Sequence, residues 1–226
     1  MNESTSPEEI KFLELLKDVQ ETLARTVDSL DINLIPKWEV RYLLWACVFI
    51  NQASRGYLSL RNEDNAFAAK LLIRPILEVF LSTQAVLSKR GFLFRKIYTE
   101  LAEFKKSDPN ATAADFDKMV DNYVKAFHDH DKTYPCERKK VDMSYTAQVA
   151  NMVDHYEVVY RIYCKYTHGA QIAVTGALNS VTDDVDTGIV VELLLRTLGH
   201  LQKEARAKIP ELDDFHKRYK SCMPKK

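Results

Sequence analysis

The stretch PKWEVRYLLWACVFINQASRGYLSL, residues 36–60, decides the fold class. Pro36 stands where a helix can open, because a fixed φ and a missing N–H cost nothing at a helix start. From about Lys37 to Leu60 the apolar residues recur at helical spacing, and Trp38, Tyr42, Trp45 and Phe49 fall on one side as a broad aromatic stripe. A stripe of that kind is more often core than cofactor platform, so it is expected to face the interior. The unbroken apolar run Leu43 to Ile50 falls well short of the roughly 20 residues that span a bilayer. The segment therefore reads as an amphipathic helix of a soluble bundle.

Working outward, Ser6-Pro7-Glu8-Glu9 has the form of a helix start, with Ser6 as cap, Pro7 first in the helix and Glu9 in capping-box position. Helical periodicity then continues to about residue 30. A third helix is expected from near Asp64, where Ala66, Ala68 and Ala69 would let a neighbour come close before the apolar run Leu71 to Leu87. Pro75 inside it predicts either a kink or a fresh start. Gly91 separates the next helix, about Phe92 to Lys105, and Ser107-Asp108-Pro109-Asn110 is the clearest internal turn. Asp115 to about Phe127 is helical; residues 129–143 form a polar connector around Pro135. Ser144 can cap the helix that follows, which carries Val149, Val153, Tyr156, Tyr160 and Tyr163. Residues 169–183, rich in Gly, Thr, Asn and Asp, read as a loop or a short irregular helix. A long helix from about Asp184 to Lys208 and a short one after Pro210 complete the chain. With no strand-period segment and no repeat, the expected architecture is an all-α helical bundle of about seven or eight helices with an elaborated third quarter. It is read as one domain over residues 1–226, with residues 1–6 and 221–226 as flexible termini.

Composition limits what such a bundle can do. A content of 46% hydrophobic against 28% charged residues excludes a mainly disordered chain. Basic and acidic residues both total 32, so no global field recruits nucleic acid or an anionic membrane, and any polyanion site must be local. The four cysteines lack metal-like spacing, and the N-terminus has no basic-then-apolar export pattern. A cytoplasmic protein with no membrane partner is expected.

The chemistry-bearing tract is Arg161-Ile162-Tyr163-Cys164-Lys165-Tyr166-Thr167-His168, followed by Gly169. Seven residues is close to two helical turns, so Arg161 and His168 share a face but are offset by roughly 10 Å along the axis. They form one site only if the chain bends at His168 or a second copy supplies the missing group. An imidazole exchanges protons near neutral pH, and a guanidinium clamps phosphate without titrating. The structural alternative is that Arg161 pairs with Glu157 one turn back and His168 caps its own helix. Arg74 and Glu78 are four apart among Ile73, Ile76, Leu77 and Val79, which points them inward as an ion pair. Glu78 could also hold Arg161 or His168, or Arg74 could contact an anion. His128-Asp129-His130-Asp131, with Cys136 nearby, is dense in metal-ligating types but lacks fixed helical spacing, and a solvated surface is the stronger reading. No metal or cofactor is expected. The basic run Arg138-Lys139-Lys140 could steer an RNA backbone, although such runs are usually solvated loop. Phosphate-binding glycine loops, nucleophile elbows and zinc-protease motifs are absent from the sequence.

The Arg-x6-His spacing at the end of a late helix resembles the signature of the HEPN superfamily (higher eukaryotes and prokaryotes nucleotide-binding), many members of which are metal-independent ribonucleases of defence and toxin–antitoxin systems. Arg74-Pro75-Ile76-Leu77-Glu78, with Tyr156, Tyr160 and Tyr163 leading into His168-Gly169, is similar to an uncharacterised bacterial all-helical family of unknown function related to it. The resemblance covers roughly residues 35–205. It implies Arg161 and His168 as catalytic residues brought together across a homodimer. It also implies RNA or a nucleotide as substrate and a protein antitoxin as partner. Arg74, Glu78, Tyr163 and Glu157 would be substrate-binding or supporting residues. Family members usually carry a polar residue after the arginine, where this chain has Ile162. The alternative function is a non-catalytic helical module that binds a nucleotide or a protein partner.

Overall fold

A computed structural model describes residues 7–63, 65–108, 110, 112–167 and 183–223, and these are helical wherever they are regular, with no strand among them. The protein is an all-α helical bundle. The described residues divide into two compact units, one built from those up to Phe80 and from Asp154 onward, the other from those between Leu81 and Val153.

In the first unit, α1 (Pro7–Asp28) buries Phe12, Leu15, Leu16, Val19 and Leu23, a three-four spacing that lays one stripe against its neighbours. Each such side chain removed from water contributes about 2 kcal/mol. Ser6, and with it the expected capping box, lies outside the described residues; the Glu9 carboxylate pairs with Arg61 of α2 in a nearly buried bridge. After a single 3-10 turn, Ile32–Leu34, α2 (Trp38–Asn62) runs back along α1. Its buried side is Val40, Leu43, Leu44, Ala46, Cys47, Ile50 and Tyr57. The aromatic stripe is therefore not core, contrary to expectation. Trp45 is 55% exposed, with Tyr42 and Phe49 packed on either side at ring distances of 5.6 and 6.1 Å. Trp38, Tyr42 and Phe49 are half-buried, and the fully buried positions of the helix fall on the small residues Ala46, Cys47 and Ser54 and their apolar neighbours.

Asn65 caps α3 (Ala66–Ser88), its Oδ1 accepting from the Ala68 N–H at 3.2 Å. The helix continues through Pro75, so there is no fresh start there. Over 18 residues its mean hydropathy is 1.4, long and apolar enough by composition to cross a membrane, yet half of that stretch is buried in the protein and the helix carries Lys70, Arg74 and Glu78. Residues up to Phe80 belong to the first unit and the rest to the second. The first unit is completed by α7 (Arg161–Thr167), α8 (Asp183–Glu204) and α9 (Leu212–Cys222). Buried Val190, Val191, Leu194, Leu198 and Leu201 of α8 make it the central element, against which α1, α2 and α9 all pack. Cys222, within the tail expected to be flexible from residue 221, is buried at the end of α9.

The second unit contains α4 (Phe92–Ser107), α5 (Ala113–His130) and α6 (Met143–Val149). Thr112 and Asp115 form a reciprocal capping box at the start of α5. Residues 131–142 are an extended strap. Arg90 reaches Asp131 and Thr133, the Val141 N–H donates to Thr99 Oγ1 at 2.9 Å, and Pro135 sits on Gly91. Asp142, not Ser144, caps α6 through Tyr145 N–H. That helix does not run on to Arg161 as expected: it stops at Val149, Asn151 turns the chain at φ 55°, and a π-helical segment, His155–Tyr160, leads into α7.

Candidate functional site

One side of α3 presents Lys70, Arg74 and Glu78 at four-residue intervals, and the aromatic residues that follow the turn at Asn151 come up against it. The site has two layers. In the buried one, Lys70 Nζ lies 3.2 Å from Asp186 Oδ2 of α8, with side-chain exposures of only 1% and 6%. The Tyr163 hydroxyl of α7 donates to the other oxygen of the same carboxylate. Beside it, the hydroxyls of Tyr57 and Thr187 are 2.9 Å apart. Three helices are thereby joined by one carboxylate.

The second layer is half-open. Arg74 Nε donates to Glu78 Oε1 at 2.9 Å, and the Tyr160 hydroxyl donates to the same oxygen at 2.9 Å. The Arg74 guanidinium lies 5.6 Å over the Tyr160 ring, and Tyr156 stacks on Tyr160 at 5.0 Å. Burial works against the Arg74 charge, but the hydrogen bond and charge of Glu78 outweigh it and hold the guanidinium more firmly protonated than usual. Burial first, then Glu78, push the Tyr160 phenol well above its ordinary range. It is a permanent hydrogen-bond donor at neutral pH. A shelf of stacked rings beside a fixed cation can receive a planar or anionic group.

Arg161 lies elsewhere. It opens α7 with its side chain 63% exposed and held 2.7 Å from Glu157, as the pairing reading expected. Glu78 is occupied by Arg74 and Tyr160 and does not hold Arg161. The expected residues thus fall into three groups: Arg74 with Glu78, Glu157 with Arg161, and Tyr163 with Lys70 and Asp186. His168 and the loop expected at 169–183, up to residue 182, lie outside the described residues. Lys70 and Asp186 were not singled out in the sequence. A lysine directly after Ala68-Ala69 and before Leu71-Leu72 was the available signal, while nothing local marks Asp186 as its partner.

The remaining candidates serve the second unit. A ring nitrogen of His128 meets the Tyr134 carbonyl oxygen at 3.1 Å, Asp131 is bound by Arg90 and Thr133, and burial raises the Cys136 thiol pKa. Among the described residues no three His, Cys, Asp or Glu side chains converge as metal ligands would. The basic run is neutralised in part by its own fold: Arg138 pairs with Asp121 at 2.5 Å and Lys140 with Glu103 at 2.9 Å. Comparison with known protein families, curated proteins and solved structures finds no match.

Proposed function

We propose that the chain is a HEPN-like, metal-independent ribonuclease of a defence or toxin–antitoxin system, with Arg161 as the phosphate-binding cation and His168 as the proton carrier. The observation that carries this reading is the setting of Arg161. It lies on a helical run that continues from the π-helical segment into α7, its side chain is 63% exposed, and among the described residues its ion-pair partner is the 46% exposed Glu157. Glu157 keeps the guanidinium extended and solvated, and an arriving phosphate can take over its donors. In cleavage, a ribose 2'-hydroxyl loses its proton as its oxygen attacks phosphorus and the 5'-oxygen leaves with a proton, His168 being the general base that takes the first or the general acid that gives the second, and water the partner in the other transfer. Arg161 stabilises the charge growing on the phosphoryl oxygens. The products are a cyclic phosphate and a free 5'-hydroxyl. A homodimer in the cytoplasm, held in check by a protein antitoxin, is the setting this reading implies.

The test is incubation of the purified protein with single-stranded and structured RNAs in chelator, followed by end-group analysis. Cleavage that falls by about a hundredfold or more in His168→Ala, with the fold intact, is expected. A second reading, a non-catalytic module binding a nucleotide or protein, is favoured by one observation: Arg74 and Tyr160 both donate to Glu78, which fixes a cation over the stacked Tyr156 and Tyr160 rings. Absence of cleavage across a broad RNA panel selects it.

A further inference from the structure

Within the second unit, Tyr145 holds an unusual position. Its hydroxyl oxygen accepts from two cations at once, Lys89 Nζ at 2.9 Å and Arg95 Nη1 at 3.0 Å. Both also lie against its ring, at 5.6 and 4.8 Å, while Phe92 stacks on it at 6.2 Å. With both lone pairs committed, the phenol can act outward only as a donor. Arg95 itself is 6% exposed, and a buried guanidinium ordinarily has a carboxylate at hydrogen-bonding distance. Here its other donors reach only the backbone oxygens of Lys139 and Lys140, at 3.3 and 3.5 Å. Among the described residues the carboxylate paired with it, Glu137, is 4.0 Å away and 65% exposed, and Asp142 is taken up by the Tyr145 N–H. Lys89 is exposed with Tyr145 as its hydrogen-bond partner. Neither the Lys89 ammonium nor the Arg95 guanidinium is hydrogen-bonded to a carboxylate among the described residues.

We propose that Lys89, Tyr145 and Arg95 form a phosphate-binding site. The Lys89 ammonium and the Tyr145 O–H donate to the phosphate oxygens, and Arg95 supplies the buried charge beneath them. The hydrogen bonds from Lys89 and Arg95 lower the Tyr145 pKa, so its proton is a stronger donor than that of an ordinary phenol. The site is independent of the ribonuclease reading, because every residue in it belongs to the second unit. The phosphate can come from a small molecule or from a nucleic-acid backbone.

The experiment titrates the full chain with inorganic phosphate, AMP and a short single-stranded RNA by calorimetry, in parallel with tyrosinate absorbance against pH. Phosphate or AMP binding that moves the early tyrosine ionisation upward assigns a small-molecule site; RNA binding alone, with the same upward shift, assigns a backbone site. Both require Tyr145→Phe and Lys89→Gln to weaken binding by about tenfold or more, while Lys125→Gln on the same unit does not. The proposal is overturned if none of the three probes binds, if either site variant binds as the wild type does, or if binding leaves the tyrosinate titration unmoved. The absorbance arm uses unaltered protein and keeps the test valid should a variant fold poorly.

Discussion

Lys70 is enclosed on α3 with its ammonium against Asp186, and a charge sealed in this way is stable only while its partner remains. Lys70→Met alone is expected to cost about 3–5 kcal/mol, because it strands a buried carboxylate, and Lys70→Met with Asp186→Leu to recover most of that loss. Urea melts of the single and double variants check this. Two further side chains set pH dependence with opposite visibility. Burial lowers the His200 pKa, so the unfolded chain binds its proton first on acidification. Its contribution is complete above the ordinary imidazole value of about 6.5 and is lost as pH falls from there through the lowered folded pKa. Melting temperature followed across that range should show a step that His200→Phe removes. At the alkaline end, Tyr145 ionises below the ordinary phenol value of about 10, whereas burial holds Tyr219 up to about 12. The folded state gains stability from Tyr145 as pH rises through its lowered pKa toward the unfolded value. A spectrophotometric titration should lose its earliest tyrosine step in Tyr145→Phe.

At the scale of the element, the punctuation marks carry measurable weight. Gly91 caps α4 at φ 84°, and a Cβ there would meet Pro135 Cβ at 2.9 Å. Gly91→Ala should destabilise by about 1–3 kcal/mol, read from denaturant melts, since it combines backbone strain with displacement of the strap. Pro36, Gly91 and the Ser107 to Asn110 turn were legible in the sequence because their effect is local: each fixes or frees the backbone at its own position. The aromatic stripe of α2 was misread because helical spacing identifies a face without saying which of two apolar faces has close-packing neighbours. The break between α6 and α7 was missed for a different reason. Val149, Val153, Tyr156 and Tyr160 keep a helical period, and neither Gly nor Pro marks the turn that Asn151 makes. Of the candidate site, the Arg74–Glu78 and Arg161–Glu157 pairs were visible as neighbours four apart, while the Lys70–Asp186 pair depends on a tertiary contact that no local pattern encodes.

For the molecule as a whole, equal numbers of acidic and basic residues mean that any RNA is gathered by local clusters rather than a global field. Trp45 tests the expected homodimer. As an exposed ring it should be quenched freely by iodide, and Trp45→Ala should change stability by no more than about 0.5 kcal/mol unless a second chain covers it. Protection that grows with protein concentration would place the pairing surface on α2. The π-helical segment has a consequence for length variation. Its i-to-i+5 bonding accommodates an extra residue that an α-helix would not, and that residue sets the rotational phase of everything after it. Excising one residue between 155 and 160 would turn Tyr163 by about 100°. The tyrosine would swing away from Asp186, so this short tract should tolerate exchange of side chains far better than indels.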